Sequence, residues 1–240
     1  MLKRTLLFVC LMALLQIPTL AAPSYSFPNS GRHEIAEGRF DIMVPTHWAE
    51  SKDKIMVLSL HGSGEDGGYI WNWDPFAETS NILVLCPSSQ DKAGWSSTEI
   101  ERLVTLTQSV KQHYGAKHVL LSGASSGGQM AFIIGLLYPQ YFDGIQTFMG
   151  LVPVSLRDFY VRQTAKKQLP ILMIQGAKDP FISVNTARET ERWLKQEKFP
   201  VSFVARPNMK HEHYIPDNGF ILEWFRKQIL SPGTPLQPSS

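Results

Sequence analysis

Gly123-Ala124-Ser125-Ser126-Gly127 matches the pattern G-x-S-x-G. A serine hydroxyl is a weak nucleophile until a base takes its proton, and the base works only when a third group orients it. Small residues on either side of Ser125 permit a sharp strand-to-helix turn that pushes the hydroxyl out at the carboxyl edge of a sheet. The same turn sets Ser125 at a helix N-terminus, where the dipole and free N–H groups favour developing negative charge. Partners follow in the order Ser…Asp…His. Asp179, in Gln175-Gly176-Ala177-Lys178-Asp179-Pro180, is the candidate orienting acid, and Asp158 is its competitor. His211 and His213, in Met209-Lys210-His211-Glu212-His213-Tyr214, are the candidate bases, and in a loop no spacing rule chooses between them.

An acyl-transfer centre also needs donors for the oxygen that becomes negative. Leu58-Ser59-Leu60-His61-Gly62-Ser63-Gly64 ends an apolar stretch in a Gly-rich turn. The main-chain N–H of Ser63 and that of Ser126, the residue after the nucleophile, are the expected pair. Each such donor lowers the barrier by about 2.7–4 kcal/mol in measured cases. The same stretch reads Gly62-x-Gly64-x-x-Gly67, a dinucleotide fingerprint. That fingerprint expects a ribose-holding acid about 20 residues on, at the end of the next strand. Leu85-Cys86-Pro87-Ser88 stands there instead, which speaks against nucleotide binding. His211 and His213 have no third ligand cluster, so neither a metal nor any other cofactor is expected.

Short apolar runs at 40–44, 55–60, 82–86, 118–122, 145–149, 171–175 and 201–205 read as strands. Several are continuous rather than alternating, as suits strands covered on both faces. Helical patterns lie at 98–113, 126–138, 184–198 and 219–230. Strand–helix alternation predicts an α/β fold, a mostly parallel central sheet with helices on both faces. In this register the Ser125, Asp179 and histidine segments all follow strands and fall at one sheet edge. No repeat or internal linker interrupts 31–230, which reads as one domain; 23–30 and 231–240 are rich in Pro and Ser and are expected to fray.

The 240 residues carry 23 Lys+Arg and 21 Asp+Glu, with 43% hydrophobic and 18% charged. This composition excludes collagen, wholesale disorder and a multi-span membrane protein. Lys3 and Arg4, the apolar run from Leu6 to Leu15, Pro18 and Ala21-Ala22 form a secretory leader pattern over 1–22. The expectation is export to periplasm or medium, without stable membrane insertion after cleavage. Taking Lys3 and Arg4 from the 23 basic residues leaves 21 against 21 acids, which removes any electrostatic case for nucleic acid. Cys10 leaves with the leader, and Cys86 alone forms no intramolecular disulfide.

These motifs, in this order, resemble the α/β-hydrolases. The carriers are His61-Gly62-Ser63-Gly64, Gly123-Ala124-Ser125-Ser126-Gly127-Gly128, Gly176-Ala177-Lys178-Asp179 and Met209-Lys210-His211-Glu212. Within that superfamily the chain is similar to small secreted esterases of the polyhydroxybutyrate-depolymerase and feruloyl-esterase type, and to the phospholipase/carboxylesterase group. In such relatives a Met-x-His-Glu-like loop carries the base, so the resemblance implies His211 with His213 as alternate, and a Ser–His–Asp hydrolase of small-molecule or polymeric carboxylic esters. Two departures stand out. Depolymerase-type enzymes often carry disulfides, which one cysteine forbids. The stretch between Met149 and Ile171 is too short for a large lipase lid, which points to a short-chain or aryl ester, with Trp71, Trp73 and Trp95 as candidate pocket aromatics. Rival readings are a serine peptidase or thioesterase with the same triad, and a catalytically silent binding protein of the same fold. The oligomeric state is not encoded in these motifs.

Overall fold

A computed structural model describes Phe27 and residues 30–35, 38–161 and 167–230. The expected leader and tail, and most of 23–30, lie outside the described residues. Eight strands form one sheet in the order β1-β2-β4-β3-β5-β6-β7-β8. β1 (Ser30–Ile35) and β2 (Gly38–Met43) pair antiparallel, with Ser30 opposite Met43, and β2 pairs antiparallel with β4 (Leu83–Pro87). The remaining pairs are parallel: β4 with β3 (Ile55–Leu60), β3 with β5 (His118–Ala124), then β6 (Gly144–Phe148), β7 (Ile171–Gly176) and β8 (Val201–Arg206). Every position of β3, β4, β6 and β7 is buried, which is why their sequences lack alternation. β8, at the sheet edge, is mostly half-buried.

Two apolar layers sandwich the sheet. One packs α2 (Ile100–Tyr114) and α3 (Ser126–Leu137), with Leu194 of α5 (Val184–Gln196), against Leu58, Leu121 and Ile145. The other packs α6 (Asn218–Leu230) and Ala77 of α1 (Phe76–Ser80) against Val57, Val84, Leu120 and Phe148. Among the described residues no helix is long and apolar enough to cross a membrane.

Seven strands and four helices match the expected segments to within about two residues at most ends. Three elements were not foreseen. β1, Ser-Gly-Arg-His-Glu-Ile, is polar and pairs on one side only, so it carries no core signal. α1 and α4 (Val154–Val161) are short and lack a full amphipathic repeat. Phe27, in the stretch expected to fray, is 7% exposed and packs against Phe40, His113 and Tyr114.

Candidate active site

The nucleophile candidate sits on a strained corner. Ser125 joins β5 to α3 at φ 53°, ψ −117°, a conformation that L-residues adopt at a cost of about 1–3 kcal/mol. Its amide donates to Phe148 O (2.9 Å), and its carbonyl accepts from Gln129 N in the first turn of α3. The flanking glycines are required by close approach. A Cβ on Gly123 would lie 2.3 Å from Gly127 O, and one on Gly127 would lie 2.2 Å from Leu60 O.

His211 bridges the other two groups. Its Nδ1 lies 2.8 Å from Asp179 Oδ2 and its Nε2 lies 2.9 Å from Ser125 Oγ. An ionised carboxylate only accepts, so Nδ1 carries the proton, which leaves Nε2 to accept from the serine O–H. Asp179, at the turn after β7, has a fully buried side chain. Its Oδ1 accepts from Phe181 N (2.8 Å) and Ile182 N (2.9 Å), and its Oδ2 also accepts from Gln175 Nε2 (3.1 Å). Burial opposes ionisation there, but the Ile182 and Phe181 amides and His211 outweigh it and hold the carboxyl below its ordinary value.

The other candidates are placed elsewhere. Asp158 is exposed on α4, while His211 pairs with Asp179. Both ring nitrogens of His213 are engaged elsewhere: its Nδ1 is 2.7 Å from Tyr69 Oη and its Nε2 is 2.8 Å from Asn218 Oδ1. Burial lowers its pKa to about 4. Trp73 is fully buried and donates to Ser59 Oγ, so it is core rather than pocket; Trp95 lies tilted against His61, ring centroids 4.7 Å apart, and Trp71 is 68% exposed.

The Gly62–Gly67 turn is organised by its own side chains. Gly62 N donates to Glu65 Oε2 (2.7 Å) and Gly68 N to Asp66 Oδ1 (2.8 Å), while Gly67 N donates to Ser88 Oγ. The turn then enters a 3-10 helix, Gly67–Trp73, not a long α-helix with open N–H groups facing a phosphate. With Gly62 N occupied, the next donor along the turn is Ser63 N. The turn is clamped from behind by the loop after β4: Gly64 N donates to Lys92 O, Ser89 N to His61 Nε2, and Trp95 Nε1 to His61 O. His61 is fully buried, burial lowers its pKa, and its Nδ1 lies 2.7 Å from Gly62 O. It therefore shapes the turn as a neutral ring. Among the described residues no group of three His, Cys, Asp or Glu could hold a metal. Cys86 is a buried free thiol donating to Ser59 O.

Sequence reasoning missed Gln175, Phe181 and the cradle of His213. Gln175 carried a faint signal as a polar residue ending an apolar strand. Phe181 is 79% exposed, with its ring 5.1 Å from that of His211, and an isolated loop aromatic carries no signal.

Residues 59–226 match the model of a family described as phospholipase/carboxylesterase. Acyl-protein thioesterase 1 of Gibberella zeae is 25% identical over 118 residues, covering 48% of this chain and 50% of the relative. Carboxylesterase SOBER1 of Arabidopsis thaliana is 23% identical over 124 residues, covering 52% and 54%. The chain thus spans about half the length of these curated relatives. Among solved structures, esterase PE8 superimposes with a TM-score of 0.66 at 17% identity, covering 78% of this chain and 97% of that one. Arabidopsis thaliana SOBER1 does so with 0.57 at 20% identity, covering 73% and 99%. At these identities the structural likeness establishes the α/β-hydrolase fold.

Proposed function

Because the chain belongs to the phospholipase/carboxylesterase family, we propose that it is a serine hydrolase of carboxylic esters working through Ser125, His211 and Asp179. The observation that carries this reading is the unbroken relay from Asp179 Oδ2 through His211 to Ser125 Oγ, at 2.8 and 2.9 Å. His211 Nε2 takes the serine proton as Oγ attacks the ester carbonyl. Asp179 holds the imidazole in its Nδ1–H tautomer and stabilises the imidazolium. Main-chain N–H groups of Ser63 and Ser126 receive the oxyanion. His211 then protonates the leaving alcohol, an acyl-enzyme forms on Oγ, and water activated by the same imidazole releases the acid.

The substrate is a short-chain or aryl ester. The segment between β6 and β7 includes only the eight-residue α4 as described helix, and Phe181 and Trp71 offer exposed apolar surface. A second reading, thioester hydrolysis, is favoured by the thioesterase among the relatives and uses the same groups. The leader pattern over 1–22 supports export. The test is a panel of p-nitrophenyl esters from acetate to palmitate beside matched thioesters and an amide. Turnover highest on acetate to butyrate supports the ester reading. Preference for thioesters supports the second, and cleavage of the amide alone refutes both.

A further inference from the structure

His213 lies two residues beyond the base, and its partners form a chain whose hydrogens are all determined. Asn218 Nδ2 lies 2.8 Å from Asn72 O, a main-chain carbonyl that only accepts. The Asn218 amide is therefore oriented with Oδ1 toward His213, so His213 Nε2 carries its proton and Nδ1 is left to accept from the Tyr69 phenol. The chain runs one way: Tyr69 O–H to His213, His213 N–H to Asn218, Asn218 N–H to Asn72 O. It begins and ends on the same turn, Gly67–Trp73, and ties that turn to His213 and Asn218, which follow His211 in the chain.

The ring also touches the other side of the site. It lies 4.5 Å from Phe148, 5.5 Å edge-on from Trp73 and 5.4 Å from Tyr69. Phe148 is the residue whose carbonyl receives the Ser125 amide. One side chain thus packs against the residue that seats the nucleophile and sits in the loop that seats the base. A second tie, Arg206 bidentate to Asp217 at 2.7 and 2.8 Å, fixes the far end of that loop. Arg206 and His213 thus bracket His211 in the chain, and each is tied to another part of the fold.

We propose that His213 is a positioning residue that holds the His211 loop in register with Ser125 through the Tyr69–His213–Asn218–Asn72 chain. The proposal rests on the Ser125–His211–Asp179 reading. A misplacement on the order of 1 Å lowers turnover by about a hundredfold, and one lost neutral hydrogen bond corresponds to roughly fivefold.

The test measures kcat and KM on p-nitrophenyl butyrate, with thermal melting alongside, for wild type, Tyr69→Phe, His213→Leu, His213→Asn and the Tyr69→Phe/His213→Leu double variant. Tyr69→Phe is expected to lower kcat about fivefold and His213→Leu about 10- to 100-fold, with KM within about twofold. His213→Asn places an amide oxygen near the former Nδ1 and is expected to recover part of kcat. The double variant is expected to be no slower than His213→Leu, because both remove one chain. A fall in melting temperature with kcat unchanged in Tyr69→Phe and His213→Leu would overturn the proposal, as would additive losses. Tyr69→Phe keeps the test open should His213→Leu not fold. A wild type without turnover would overturn the triad reading and this one with it; active wild type with unaffected variants overturns this one alone.

Discussion

Replacing His213 by Gln should flatten the acid dependence of stability. In the unfolded chain the imidazole titrates near its ordinary 6.5, and in the folded protein burial brings it to about 4. The unfolded state therefore binds more protons across this interval. His213 contributes its full stability above pH 6.5, and that contribution is lost as pH falls from 6.5 through 4. A gap of about 2.5 units at about 1.4 kcal/mol per unit bounds the loss near 3 kcal/mol. The residue is partly open to solvent, which trims this to about 2–3 kcal/mol. Tyr69 and Cys86, pushed well up by burial, stay neutral throughout, so they leave this slope untouched. His61, also lowered by burial, adds a slope of the same sign to both proteins and cancels in the comparison. At about 2–4 °C per kcal/mol for a chain of this size, the wild type should lose about 4–12 °C more than His213→Gln between pH 7.5 and 4. Thermal denaturation followed by circular dichroism at half-unit steps reads this directly. The variant will be less stable at pH 7.5, so the slope and not the level is diagnostic. Parallel slopes would refute the claim that a neutral ring is held there.

Gln175→Leu removes the amide donated to Asp179 Oδ2 and should lower kcat about three- to tenfold with little change in KM, read in steady-state kinetics. Gly127→Ala sets a Cβ against the carbonyls of Leu60 and His61 and should destabilise by about 3 kcal/mol or prevent folding, read as a drop in melting temperature. Phe181→Ala, at an exposed ring packed on His211, should leave the melting temperature within about 2 °C while raising KM for phenyl more than for ethyl esters.

Burial on both faces explains what was legible. The continuous apolar strands β3, β5, β6 and β7 have few alternative environments; Ser125 follows β5, Asp179 follows β7 and His211 follows the edge strand β8, which brings the three to one edge. Gly123 and Gly127 were legible because only glycine fits those contacts. The choice between His211 and His213 was not legible from spacing. Both occupy one loop, and what separates them is packing: His213 is claimed by Phe148 and Tyr69 from distant parts of the chain. Trp73 illustrates the same limit. Its place after a strand allowed a pocket role, yet its indole N–H is used by Ser59 and its ring is fully buried. β1 stayed hidden because an edge strand with one partner needs no apolar pattern.

The central claim is that Ser125 is a nucleophile activated by His211. Purified protein lacking residues 1–22 should be treated with a fluorophosphonate and digested for mass spectrometry. The expected result is one phosphonylated peptide with the adduct on Ser125, abolished in Ser125→Ala and slowed at least a hundredfold in His211→Ala. Labelling that persists in Ser125→Ala, or proceeds equally fast in His211→Ala, would contradict it.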